Sequence, residues 1–180
     1  MKRAGKAGRG LRLLSALACL LGPTVAGATA PKDLKIGIHV IDFITNAPPG
    51  RVGLGVVYDS RSKESQEDAQ AILASLASVE LHVPAGLKPV LVDIRDLDET
   101  SDLRAVIVAD HMKADYDELA DYGRRRHTLV LSSDLDCVRA GKCTVGIASV
   151  PRVEVIVSTQ QAQASGIQFS EAFRMMVTEY

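Results

Sequence analysis

The sequence contains no tryptophan, and Phe and Tyr together make up 4% of its 180 residues. An aromatic platform on which bases or sugars could stack is therefore not expected. Long apolar runs are missing too. Residues 13–25 form an apolar stretch broken by Gly22 and Pro23, and about 13 residues fall short of the ~20 that a membrane-spanning helix needs. No nucleophile elbow, zinc-protease helix or phosphate-binding loop occurs. The run Gly50-Arg51-Val52-Gly53-Leu54-Gly55 is not a dinucleotide fingerprint, because its glycines fall inside an apolar strand pattern and not in the turn after it. Close packing against a neighbouring element is their expected role. No catalytic constellation is therefore legible, and no catalytic residue and no cofactor is assigned.

Charge is present but unevenly placed. Lys2, Arg3, Lys6, Arg9 and Arg12 lie in the first 28 residues, where there is no acid, and the rest of the chain has 16 basic against 22 acidic residues. An acidic body without a basic cluster is a poor partner for a phosphate backbone, so nucleic acid is not an expected ligand. The basic start followed by an apolar stretch reads as an export signal. The small residues of Ala26-Gly27-Ala28 and Ala28-Thr29-Ala30 both suit a signal peptidase, but the second would leave Pro31 directly after the cut. Cleavage after Ala28 is expected, giving a signal peptide over 1–28 and one α/β domain over 29–180. A lipid anchor on Cys19 is the alternative.

Along the body, residues 34–45 fit two periods. Leu34, Ile36, Ile38 and Val40 alternate as in a strand, whereas Leu34, Ile38, Ile41 and Ile44 form a helical stripe. Strands are expected over residues 52–58, 89–94, 103–109 and 129–131. A helix is expected from Ser65, with Glu67 and Asp68 in its first turn and Ala69, Ile72, Leu73, Leu76 and Val79 on its apolar face. A break at residues 84–86, an acidic loop over 96–102 and a helix over 116–125 follow. Residues 144–148 and 153–157 lie close enough to form an antiparallel hairpin. The last twenty residues read as one helix with Phe169, Ala172, Phe173, Met176, Val177 and Tyr180 on one face. This alternation predicts a layered α/β sandwich with a mainly parallel sheet, helices on both faces, a late hairpin and a C-terminal helix.

Two places carry candidate chemistry. Cys137 and Cys143 are the only cysteines beyond the leader, and in an oxidising compartment such a pair is usually a local disulfide. Gly141 eases the turn between them. A metal site with His127, Asp134 or Asp136, or a pair of free thiols, are the competing readings. The second place is the turn Asp59-Ser60-Arg61-Ser62, between a strand and a helix, where backbone N–H groups and the helix dipole can hold an anion. Ser132-Ser133-Asp134 and Asp110-His111 end other strands, so these loops can share one ligand or partner rim. Ordinary turn and capping chemistry is the plainer explanation. His39, His82, His111 and His127 are scattered without the spacing of metal ligands, and no metal is expected.

Taken in order, several segments resemble the YfiR-like family of exported bacterial proteins. Residues 34–44 look like that family's opening helix, which usually runs into Trp-Pro; here Ala47-Pro48 takes that place. Residues 106–109 and 128–134 are similar to its middle strand and its strand-and-turn. Residues 153–158, then Ala162, Ala164, Gly166, Ile167, Phe169 and Ser170, resemble its ending, with Ser158 where Asn is usual. The resemblance implies helix, not strand, near Leu34. It also implies a binder and not an enzyme: a periplasmic regulator that acts on the periplasmic portion of a membrane signalling protein, such as a diguanylate cyclase (the source of cyclic di-GMP) or a sensor kinase. The apolar face of the last helix is expected to pack against the sheet or against a second copy of the protein, as a homodimer. A small exported solute-binding protein with an anion site at residues 59–62 is the alternative.

Overall fold

The computed structural model describes residues 29–47, 49–50, 52–78 and 86–180. The expected leader with Cys19, and Pro48, Arg51, Val79, His82 and Pro84, lie outside the described residues.

The ambiguous opening segment is helical. Helix α1 (Pro31–Ile41) has Pro31 at its first position, where the missing N–H costs nothing and the fixed φ suits a helix, and Asp33 sits in the first turn. Leu34, Ile38 and Ile41 are buried on one side, so the helical stripe prevails over the alternation. Next come β1 (Gly53–Tyr58), α2 (Lys63–Leu76), β2 (Lys88–Asp93), β3 (Leu103–Val108), α3 (Tyr116–Arg126) and β4 (Leu129–Ser132). The chain continues with α4 (Leu135–Arg139), β5 (Val145–Ala148), β6 (Glu154–Val157), α5 (Thr159–Ala164), α6 (Glu171–Arg174) and β7 (Thr178–Glu179).

The seven strands form one sheet in the order β2-β1-β3-β4-β5-β6-β7. Strands β1 to β5 are mutually parallel, β5 and β6 pair antiparallel as the expected hairpin, and β7 runs parallel to β6. Because alternate strand residues face opposite ways, the sheet has two cores. Leu54, Val56, Ile107, Leu131 and Ile147 meet Ile38, Ile41, Ile72 and Phe173 on the α1/α2 face. Val57, Val106, Val108 and Val130 meet Leu97, Leu119, Tyr122 and Val138 on the α3/α4 face. Gly55 needs its lack of a side chain: a Cβ there would lie 3.0 Å from Leu103 Cδ1. The packing role expected of that glycine therefore holds.

Three expectations need correction. The last twenty residues are not one helix. Ser158 caps α5 and Ser170 caps α6, each side-chain oxygen accepting from a backbone N–H, so the chain restarts twice. Between the caps, Gln168 accepts from Thr45 N at 2.9 Å and Ser170 N donates to Phe43 O at 2.9 Å, pairing this segment with the stretch after α1. Phe173 is buried, but Met176 is 66% exposed. The acidic loop is largely a 3-10 helix, Ile94–Glu99, and is held by the basic end of α3: Arg125 donates to both Asp98 carboxylate oxygens at 2.8 Å. Helix α2 begins two residues before Ser65, which moves Asp68 out of the first turn and into a buried position.

Cys137 and Cys143 are bridged, with Cα atoms 5.3 Å apart and both residues fully buried in the α3/α4 core. The bond ties α4, a helix not anticipated from the sequence, to the start of β5.

Candidate functional site

Parallel strands deliver their carboxyl ends to one side of the sheet. Chain order reverses between β1 and β3, since β2 lies on one side of β1 and β3 on the other. In open α/β sheets the crevice at such a switch point is where ligands sit. Residues 59–62 follow β1 and residues 109–112 follow β3, so they form the two lips of this crevice.

Hydrogen bonds tie these loops to one another and to their neighbours in separate groups along the rim. Asp59 Oδ1 accepts from Arg61 N at 2.9 Å and from Arg61 Nε at 2.8 Å. The same guanidinium reaches across to Asp115 Oδ1 at 3.2 Å. Ser60 Oγ accepts from Arg95, which is held in turn by Asp93 through Nε at 3.1 Å and Nη2 at 2.8 Å. Asp68, buried on α2, accepts from Asp110 N at 2.8 Å and from Thr29 N and Oγ1, each at 2.9 Å. Thr29 Oγ1 lies 3.2 Å from Ser133 Oγ. Tyr116 donates its phenol proton to Asp134 at 2.6 Å.

The residues singled out from the sequence are thus brought to one rim, but several also do plain structural work. Ser62 caps α2 by accepting from Ser65 N at 3.1 Å. Asp134 caps α4 by accepting from Asp136 N at 2.8 Å, and Ser132 Oγ accepts from Asp134 N at 3.0 Å. Cys137 and Cys143 lie apart from the rim, in the core. The sequence reading missed Thr29, Arg95, Asp115 and Tyr116. Only one of these had a local signal: Asp115 stands just before a helix, where an acid is common.

Electrostatics distinguish the members. Hydrogen bonds from Arg61 hold the Asp59 carboxyl below its ordinary range, and hydrogen bonds from Arg95 do the same, more strongly, for Asp93. Asp115 moves the other way: burial raises it, and the nearby Asp59 charge adds to the rise. Burial also pushes the Tyr116 phenol well above its usual value, with the Asp134 hydrogen bond adding to it. Across the rim, the carboxylates of Asp59, Asp68, Asp93, Asp110, Asp115 and Asp134 outnumber the guanidiniums of Arg61 and Arg95, and both arginines are already paired. His111, at the lip, has φ 60°, a left-handed conformation uncommon for a residue with a side chain.

Space at the rim is limited. The cavity beneath it, lined by Thr29, Asp33, Leu34, Gly37, Ser132 and Ser133 among others, has about 20 Å³, enough for one water. A larger open cleft of about 330 Å³ lies at the other side of the molecule's β6–β7 edge region, lined by residues including Gln163, Gln168, Phe169, Arg174 and Glu179.

No family model and no curated relative matches the chain. Solved structures do. A crystal structure of an ABC domain from Streptococcus pneumoniae in complex with L-Trp has a TM-score of 0.58 and 13% identity, and the match covers 82% of this chain and 60% of that one. A conserved domain protein from Vibrio cholerae gives a TM-score of 0.58 and 13% identity over 81% of this chain and 59% of that one. This chain therefore spans about three fifths of the length of these neighbours. At such identity the likeness establishes the α/β fold. Among the described residues, no helix is long and apolar enough to cross a membrane.

Proposed function

We propose that this chain is an exported, non-catalytic binding domain whose ligand seats at the carboxyl-end rim of the sheet, over the crevice between residues 59–62 and 110–115. The basic, apolar leader ending in small residues supports export. The observation that carries the binding reading is the charge of the rim: carboxylates converge from four loops, and Asp115 is desolvated beside Asp59 with only the Arg61 guanidinium between them. An incoming positive charge is favoured there. A bare anion is not, because Arg61 and Arg95 would have to give up their present partners. The expected anion site at residues 59–62 is thereby replaced by a site for a small solute bearing an ammonium group, with Arg61 available to its carboxylate if it has one. Amino acids are that class, and the pneumococcal structure of similar fold holds one.

Thermal unfolding of the natively exported protein against a panel of amino acids and polyamines tests the reading. A true ligand at 100 times its Kd adds about 2.7 kcal/mol, and Asp115→Asn should abolish that gain. If no compound stabilises the protein, the solute reading fails.

A second reading is favoured by a different observation. The turn between α6 and β7 exposes Met175 (80%) and Met176 (66%), and Tyr180 (62%) is exposed just after β7, beside the 330 Å³ cleft. Such a groove suits a side chain from another protein. In this reading the chain is a periplasmic regulator of a membrane-bound signalling protein, a diguanylate cyclase or sensor kinase, as the YfiR-like resemblance implies. Retention of one such protein from solubilised membranes, lost on Met176→Asp, is the expected result; retention unaffected by that change rules out this surface.

A further inference from the structure

Thr29 is held through both its backbone N–H and its hydroxyl by one buried carboxylate. Its backbone N donates to Asp68 Oδ1 at 2.9 Å and its hydroxyl to Asp68 Oδ2 at 2.9 Å. Asp68 is 7% exposed, and no lysine or arginine pairs with it among the described ion pairs. A buried carboxylate without a cationic partner is costly. A second acceptor lies in the same place. Asp33 Oδ1 is buried with no hydrogen-bond partner, and Asp33 and Thr29 line the same small cavity. A peptide N–H can donate one hydrogen bond. An ammonium can donate three and carries the missing charge.

We infer that Thr29 is the first residue of the mature protein and that its α-ammonium forms a buried ion pair with Asp68, built to receive the end created by processing. The step is hydrolysis of the Ala28–Thr29 amide by a signal peptidase: water supplies the hydroxyl of the Ala28 carboxyl group, and the freed Thr29 amine takes up a proton. The site rests on the export reading and extends it. It also reaches the rim, since Asp68 Oδ2 accepts from Asp110 N at 2.8 Å. Processing would thus complete the charge balance behind the switch-point crevice. One force opposes it. Thr29 lies two residues before α1, whose N-terminal dipole disfavours a cation; Asp33, in the first turn of that helix, faces the same cavity and counters it. The charged groups around the amine are Asp68 from α2, Asp33 from α1 and, one contact beyond, Asp110 with its neighbour His111.

The test uses the full chain exported with its own leader. Intact mass should correspond to a chain starting at Thr29. The unmodified α-amine, followed by 15N NMR of isotopically labelled protein, should titrate at least about one pH unit higher in the folded protein than in urea, because a carboxylate lies within contact distance. Asp68→Asn should remove that difference, and Asp33→Asn, at a partly exposed side chain, should reduce it. A chain starting at Pro31 overturns the inference while leaving export intact; a chain retaining residue 1 or 2 overturns both. An amine that titrates identically folded and unfolded overturns it with no variant needed, as does a difference that survives Asp68→Asn.

Discussion

Asp93 and Asp115 lie within one rim and respond to pH in opposite senses. Asp93 ends β2, accepts from Arg95 N at 3.1 Å as a helix cap, and takes two more bonds from the Arg95 side chain. Its carboxyl is depressed in the folded state, so its contribution to stability is present above the unfolded value near 4 and is lost as pH falls through the folded value. Asp93→Asn should therefore cost about 1–2 kcal/mol at pH 7, the usual scale for a cap with charged hydrogen bonds, and the cost should shrink steadily below about pH 4. Asp115 is raised by burial, so the sign reverses: what it contributes is present below the unfolded value and lost as pH rises through the folded one. Asp115→Asn should leave stability at pH 7 unchanged or slightly higher, while mild acid brings the two proteins together. Urea midpoints measured from pH 3 to 8 decide both, and parallel curves for the two variants would refute the assignment. In the sequence Asp93 is one acid among several between 93 and 102. Its distinct behaviour comes from Arg95 and from Ser60, 33 residues earlier in the chain, which no local pattern could supply.

At the scale of elements, apolar patterning was informative wherever a buried run is bounded by polar turns. The strands read over 52–58, 103–109 and 129–131 exist within a residue or so because each is apolar on both faces and bounded by polar turns. It failed at the C-terminus, where Phe169, Phe173 and Met176 keep helical spacing although the Ser170 cap starts a new helix after Phe169. Phe173 nevertheless occupies the core, its ring centroid 5.1 Å from that of Phe43 and 5.0 Å from that of Phe169. Phe173→Ala should cost roughly 3–5 kcal/mol. Met176→Ala should change stability by less than about 0.5 kcal/mol, as expected for an exposed residue; equal losses for the two would mean that Met176 is covered. The Cys137–Cys143 bridge closes a loop of sequence separation 6, for which the chain-entropy account gives about 2 kcal/mol. Denatured, unreduced mature protein should show no free thiol, and replacing both cysteines with serine should lower stability by at least that amount. Two titratable thiols would exclude the bond.

The whole molecule is acidic, and its acids are not spread evenly. Beyond residue 28 there are 16 basic and 22 acidic residues, and a concentrated share of the carboxylates stands at one end of the sheet, placed there by loops from β1 to β4. The total was legible in the sequence once residues 1–28 were set aside; its concentration was not, because it depends on strand order and on parallel pairing. The concentration has a measurable consequence. A cationic or zwitterionic solute at the rim meets an attractive potential that salt screens over about 10 Å at 0.1 M, so its affinity should fall as ionic strength rises. Arg61 separates the contributions. It neutralises Asp59 and Asp115 together, so Arg61→Ala should tighten binding of a simple amine several-fold by freeing both carboxylates. The same change should weaken binding of an amino acid whose carboxylate uses that guanidinium. Calorimetric titration of the wild type and Arg61→Ala with an amine and with the matching amino acid compares the two directly. Opposite shifts support a rim that reads both charges of its ligand. A tighter amino acid in Arg61→Ala would show that Arg61 serves only to hold the two acids apart, and that the rim selects for positive charge alone.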